Sequence, residues 1–163
     1  MIGYYIHHQG DGHVTRAATI ARRLGAEPVT GLSPRPRPDG WDGPWITLPR
    51  DDVPAVGDAT DPTAHGALHW APLAHAGLRA RMAELAAWVR AAAPRLMVVD
   101  VSVEVSILIR AMGVPVVVMG MPGERGDAAH QLSYRIAQAI IAPWPEWADL
   151  LGGGGAWRAR LMR

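Results

Sequence analysis

Four short apolar runs constrain this chain more than any other feature: "IGYYI" (2–6), "LMVVD" (96–100), "VPVVVMG" (114–120) and "AIIAP" (139–143). Their apolar residues run continuously instead of alternating with polar ones, so a strand made from them needs cover on both faces. Helical patterns separate them. Ala17, Ile20, Ala21 and Leu24 recur at the spacing of one helix face, with Gly25 placed to end the helix. A second helix is expected from Pro72 to about Ala93, with Leu78, Met82, Leu85 and Val89 as its apolar stripe, widened by Trp88. Arg79, Arg81, Glu84 and Arg90 fall outside that stripe. Val105, Leu108, Ile109 and Met112 predict a short helix closed by Gly113, and "GDAAHQLSYRIAQ" (126–138) another. "EPVTG" (27–31) and "WITL" (45–48) are weaker strands. This alternation predicts an α/β fold, a parallel sheet with helices on both faces.

Two long irregular stretches interrupt the pattern. "SPRPRPDGWDGP" (33–44) is a loop by its prolines and glycines, and "PRDDVPAVGDATDPTAHGALHW" (49–70) is either a substrate-facing flap or a disordered connection. The tail "LLGGGGAWRARLMR" changes character: four consecutive glycines read as a flexible joint before a basic stub. Residues 1–150 are therefore expected to form the domain and 151–163 a Gly-rich tail.

Composition removes whole classes of chemistry. Every basic residue is arginine, so Schiff-base catalysis and a lysine-bearing phosphate loop are excluded. The chain has no cysteine, which excludes disulfides, thiolate metal sites and cysteine nucleophiles. A net charge of +1 provides no broad basic field for nucleic acid or anionic lipid. Neither a secretory signal nor an apolar run of membrane-spanning length is present, so a cytoplasmic protein is expected.

The chemistry concentrates in "HHQGDGHVTRAATIARRL" (7–24), directly after the first strand. In open parallel sheets ligands collect beyond the carboxyl ends of the strands. Three polar segments fall there: residues 7–13, Asp100 to Glu104, and 120–130. Gly10 and Gly12 permit close approach of a substrate, and the following helix start offers free N–H groups to an anion. The dinucleotide fingerprint fails, since its third glycine would stand at Thr15 and no acidic residue ends the second strand. No cofactor is expected.

His13 is either a helix-start residue bonding backbone or a general base, and Asp100 either a helix cap or the acid that orients that base. His7 and His8 read as loop polarity. Asp11, Thr15 and Arg16 belong to the helix start, with Arg16 facing solvent or a phosphate. Ser102 and Glu104 serve as cap and dipole partner, or touch a ligand. Asp127 suits a helix cap, Arg125 an anion contact, and His130 the start of the same helix. Trp144 and Trp147 fit domain-edge packing better than a sugar platform. His65, His69 and His75 lack the acidic partner at fixed spacing that a zinc set would need.

"GDGHVTRAATIARRL", "LMVVDVSVEVSILIRAMGVPVVVMGMPGERGDAAH" and "IIAPWP" together resemble the N-terminal domain of GT-B glycosyltransferases, in particular the family-28, MurG-like group and its actinobacterial members. The similarity runs from residue 1 to about 150. It implies a Rossmann-like acceptor domain, half of a two-domain enzyme whose other half holds a nucleotide-sugar donor. It also implies inverting transfer with His13 as base and Asp100 as its orienting acid. Gly10, Asp11, Gly12, Thr15, Arg16, Ser102, Glu104, Arg125 and His130 become the acceptor-side residues.

The resemblance implies no metal. The acceptor is expected to be a small molecule or lipid-linked sugar, with peripheral membrane association as in relatives, although no strongly amphipathic stretch accompanies it. The chain stops where a donor domain should begin, so alone it is expected to turn over little. A nucleotide-sugar hydrolase or epimerase on the same fold, and a non-catalytic binding module, are the competing readings.

Overall fold

The apolar runs form the centre of one parallel sheet, and successive residues along them are buried on opposite sides. The structure is a computed structural model describing residues 1–57, 60–148 and 154–162. In chain order the elements are β1 (Ile2–Ile6), α1 (Asp11–Arg23), β2 (Val29–Ser33), β3 (Trp45–Thr47), α2 (Ala76–Ala92), β4 (Leu96–Asp100), α3 (Val103–Ala111), β5 (Val116–Met119), α4 (Ala128–Ile136) and β6 (Ala139–Ile141). A 3-10 turn (Ala156–Arg160) and β7 (Leu161–Met162) follow.

The strands lie in the order β3-β2-β1-β4-β5-β6-β7, and every neighbouring pair is parallel. The chain first builds outward from β1 to β3. It then crosses back through α2 to place β4 on the other side of β1. That reversal between β1 and β4 opens a crevice at the carboxyl edge, where such sheets bind ligands.

Met97 and Val99 face a cluster with Tyr5, Leu85, Val89, Val105, Ile109 and Tyr134, beneath α2, α3 and α4. Val98 faces the opposite cluster with Tyr4, Ile6 and Ala17 of α1. Full burial of such a side chain contributes roughly 1.5–3 kcal/mol, so both faces stabilise the sheet. Gly3 lies under Trp88 and Met97, and a Cβ there would collide with both. No helix among the described residues is long and apolar enough to cross a membrane.

Three expectations shift. The second helix starts at Ala76, not Pro72, because Ala74 adopts a positive φ of 58° and His75 caps the helix by accepting from Leu78 N. Arg81 is buried rather than outside the stripe. Its Nε donates to Pro49 O at 2.9 Å, and its Nη1 donates to Tyr5 Oη at 3.2 Å and pairs with Asp51. The core-facing line of α2 is thus Arg81, Leu85 and Val89, one helical turn apart. In the tail, Trp157 is buried against Tyr134, and β7 extends the sheet beside β6. Of the expected glycine joint, Gly152 and Gly153 lie outside the described residues, as does the boundary at 150.

The Arg81–Asp51 pair yields a stability test. Arg81→Met leaves the Asp51 carboxylate buried without its cation and lowers the unfolding free energy by about 3–5 kcal/mol, read by urea denaturation. A loss of about 0.5 kcal/mol or less, as for an ordinary surface substitution, would contradict it.

Candidate active site

The crevice between β1 and β4 brings together residues far apart in the chain. Asp100 ends β4 beside Ile6, the last residue of β1, and its side chain is fully buried. His13 stands on the first turn of α1, with Nδ1 3.0 Å from Asp100 Oδ1. Arg16, one turn further along, donates from Nη2 to the same oxygen at 2.6 Å. Its guanidinium also rests against Met121 Sδ, at 3.6 Å from Nη2. Arg16 Nη2 also lies 3.2 Å from His13 Nδ1, so that ring nitrogen faces both a carboxylate oxygen and a guanidinium. In the tautomer that donates Nδ1–H to Asp100, the lone pair sits on Nε2. Nε2 has no protein partner among the described residues.

The strand end is strained where it delivers Asp100. Val101 has a φ of 64°, a region that a β-branched residue enters only when its surroundings force it. The turn moves the chain off the sheet and into α3. There Ser102 accepts from Val105 N at 3.2 Å and donates to Glu104 Oε2 at 3.1 Å. Glu104 Oε1 in turn accepts the backbone N–H groups of His69 and Trp70 at 2.8 and 2.9 Å. One carboxylate thereby ties the long loop to the helix start, a tie that no local spacing signals.

The loop, its residues 58 and 59 outside the described part, forms a wall. A cleft of about 280 Å³ is lined by His7, His8, Asp51, Asp52, Trp70 and Glu104, among others. Trp70 Nε1 donates to Asp51 O at 2.9 Å. His7 links cleft and pair: its ring stacks 4.9 Å from that of His8 and lies 5.7 Å from that of His13. Burial, then the neighbouring His8 and His13, push the His7 imidazole down to about 4. A slightly larger hollow, about 310 Å³, lies around Gly25 to Val29 at the amino end of β2, away from this chemistry.

The remaining sequence candidates divide. Gly10 precedes α1 with φ 84° and ψ 145°, a conformation reserved for glycine, while Gly12 faces open space. Asp11 is exposed and pairs with Arg35 at 2.6 Å, and Thr15 back-bonds to Asp11 O. Arg125 donates to Pro122 O and does not line the cleft. His130 lies beside His69 and Asp127 rather than His13, the ring centroids of His69 and His130 being 4.2 Å apart. His65 is exposed beside Asp61 and His75 is bonded within the α2 cap, so His65, His69 and His75 do not converge. Trp144 packs against the core, while Trp147 is exposed.

The structure superposes on MurG from Acinetobacter baumannii with a TM-score of 0.61 at 16% identity, covering 95% of this chain and 43% of that one. The fold is MurG-like. A UDP-glucosyltransferase from Polygonum tinctorium capable of glucosylating indoxyl, solved with 3,4-dichloroaniline, matches with a TM-score of 0.51 at 16% identity, covering 86% of this chain and 46% of that one. The MurG-like sheet therefore spans less than half the length of either structure. No family model matches the sequence, and no curated protein does.

Two tests address this site. Gly10→Ala forces a Cβ into a glycine-only conformation and costs about 1–3 kcal/mol, whereas Gly12→Ala, inside α1, is neutral or gains about 0.5–1 kcal/mol. Equal effects in chemical denaturation would contradict the assignment. Acid exposes His7: its native pKa of about 4 lies below the ordinary 6.5, so the unfolded chain binds a proton that the fold refuses. Stability is held above pH 6.5 and falls as pH drops toward about 4, and His7→Gln loses less over that interval. Matching losses would show that His7 does not titrate this way.

Proposed function

We propose that the chain is the acceptor-side half of an inverting glycosyltransferase, with His13 as general base and Asp100 as the acid that orients it. The His13 Nδ1–Asp100 Oδ1 contact of 3.0 Å, beside a cleft at the sheet reversal, carries this reading. The glycosyltransferase neighbours and their GT-B architecture support the reaction class.

An acceptor hydroxyl reaching the crevice gives its proton to His13 Nε2. The acceptor oxygen forms a bond to the anomeric carbon, and the carbon–oxygen bond to the nucleoside diphosphate breaks, its electron pair leaving with the diphosphate. Asp100 fixes the ring tautomer and stabilises the imidazolium. Arg16 sets its guanidinium 2.6 Å from the same buried carboxylate oxygen, a partner that a buried acid needs. A second domain binding the nucleotide-sugar completes the site. The polar lining of His8, Asp52, Ser102 and Glu104 suits a hydroxyl-rich acceptor, free or lipid-linked.

The test uses the protein in which this chain is joined to its donor domain. His13→Ala lowers turnover by at least about 100-fold with the fold retained by circular dichroism. Asp100→Asn lowers it less. Turnover at the wild-type rate in His13→Ala would remove His13 from the mechanism. Sugar release that is equally fast without any acceptor would assign the same site to a hydrolase instead.

A further inference from the structure

A second polar cluster lies outside the His13–Asp100 pair and is unused by the proposed reaction. His69 Nε2 lies 3.0 Å from Asp127 Oδ1, and His130 Nδ1 bonds the other oxygen of the same carboxylate. One nitrogen or oxygen atom from each of the three residues falls within 4.8 Å of the others. The segments that supply them are anchored independently. His69 is held by its backbone bond to Glu104, Asp127 caps α4, and His130 sits on the first turn of that helix.

We propose that His69, Asp127 and His130 form a site for one divalent transition-metal ion of the zinc type. Two imidazole nitrogens and one carboxylate oxygen form a zinc donor set, with bonds of about 2.0–2.2 Å. Ligand atoms around such an ion stand about 3–3.5 Å apart, so atoms already within 4.8 Å of one another need shift by only about an ångström to hold it. Calcium or magnesium would require a shell of oxygens that these residues do not supply.

The protonation states agree with metal binding. Burial works to raise the Asp127 pKa, but hydrogen bonds from the His130 backbone N–H and from the His130 and His69 rings hold it well below the usual carboxylate range. Burial leads the effects that lower the His130 pKa, outweighing the pull of Asp127. Neutral imidazole and ionised carboxylate are the forms that bind metal.

The other histidine–carboxylate group, His8 with Asp51 and Asp52, lacks this freedom. Arg81 already pairs with Asp51 and Arg50 with Asp52. Among the described residues no arginine pairs with Asp127; its ion-pair partners are His69 and His130. His69 and His130 also line a hollow of about 20 Å³ with Val101, Met121 and Tyr134. That is room for about one water, the natural fourth ligand. An ion here ties the loop bearing Trp70, a wall of the cleft, to α4. His69 also lines the proposed acceptor cleft, but the site does not rest on the transferase reading.

The test is titration of the metal-free purified chain with Zn²⁺ by calorimetry, and with Co²⁺ by visible absorption. One equivalent binds, and cobalt shows the intense bands of four-coordinate geometry. His69→Gln and His130→Gln each weaken binding by about tenfold or more, while His65→Gln and His8→Gln leave it unchanged. The exposed His69 makes its variant safe for the fold. Absence of a stoichiometric site, binding that survives both ligand substitutions, or loss in His8→Gln would each overturn the proposal.

Discussion

A fully buried carboxylate at the end of β4 is the constraint around which the crevice is organised. Burying such a charge alone costs several kcal/mol, and the fold offsets this with two partners from a single helix. His13 and Arg16 lie three residues apart, the spacing that puts both on one face of α1. The helix therefore has to start immediately after β1, and Gly10 makes that abrupt start possible with a backbone conformation other residues avoid. Strand end, glycine turn, helix face and buried charge form one unit. The polarity of "GDGH" is the local expression of a long-range electrostatic demand.

Much of this was legible in the residues. Continuous Val/Ile runs announced strands covered on both faces, and "LMVVD" matches β4 residue for residue. The adjacency of His13 and Asp100 follows once β1 and β4 are neighbours, because Asp100 ends β4 and His13 stands on the helix that starts just beyond the carboxyl end of β1. Arg81 was not legible. Hydropathy assigns arginine to solvent, and only Asp51 and the Tyr5 hydroxyl, brought in by a loop and a strand, make its burial favourable. The Glu104 tie to His69 and Trp70 was hidden for a similar reason, since its acceptor and donors lie 34 and 35 residues apart with no repeat between them. Glycines in the tail suggested a mobile end, yet Trp157 found a buried place against Tyr134 that glycine content does not report.

The long loop shows how irregular backbone acquires position without secondary structure. It is held at Glu104, at Asp51 through the Trp70 indole, and at Pro54 through the His75 ring. Each anchor uses a side chain to satisfy a backbone group, which is how a loop lies over a cleft without orphaned donors. The MurG-like sheet thus carries a wall built by this loop. Differences in acceptor among proteins of similar fold are expected to reside in such walls, since the sheet beneath them is dictated by packing.

The all-parallel pairing also governs how the molecule is made. Ile2 of β1 pairs with Val29 of β2 on one side, but its other neighbour is Leu96 of β4. During synthesis β1 precedes the other described strands of this sheet and waits, half its edge open, until β4 has followed. Non-local closure of this kind is slow and leaves an apolar edge exposed in the interval. The same strand order that creates the crevice makes the delayed β1–β4 seam a vulnerable moment of assembly, a point at which a nascent chain would depend on shielding from its neighbours.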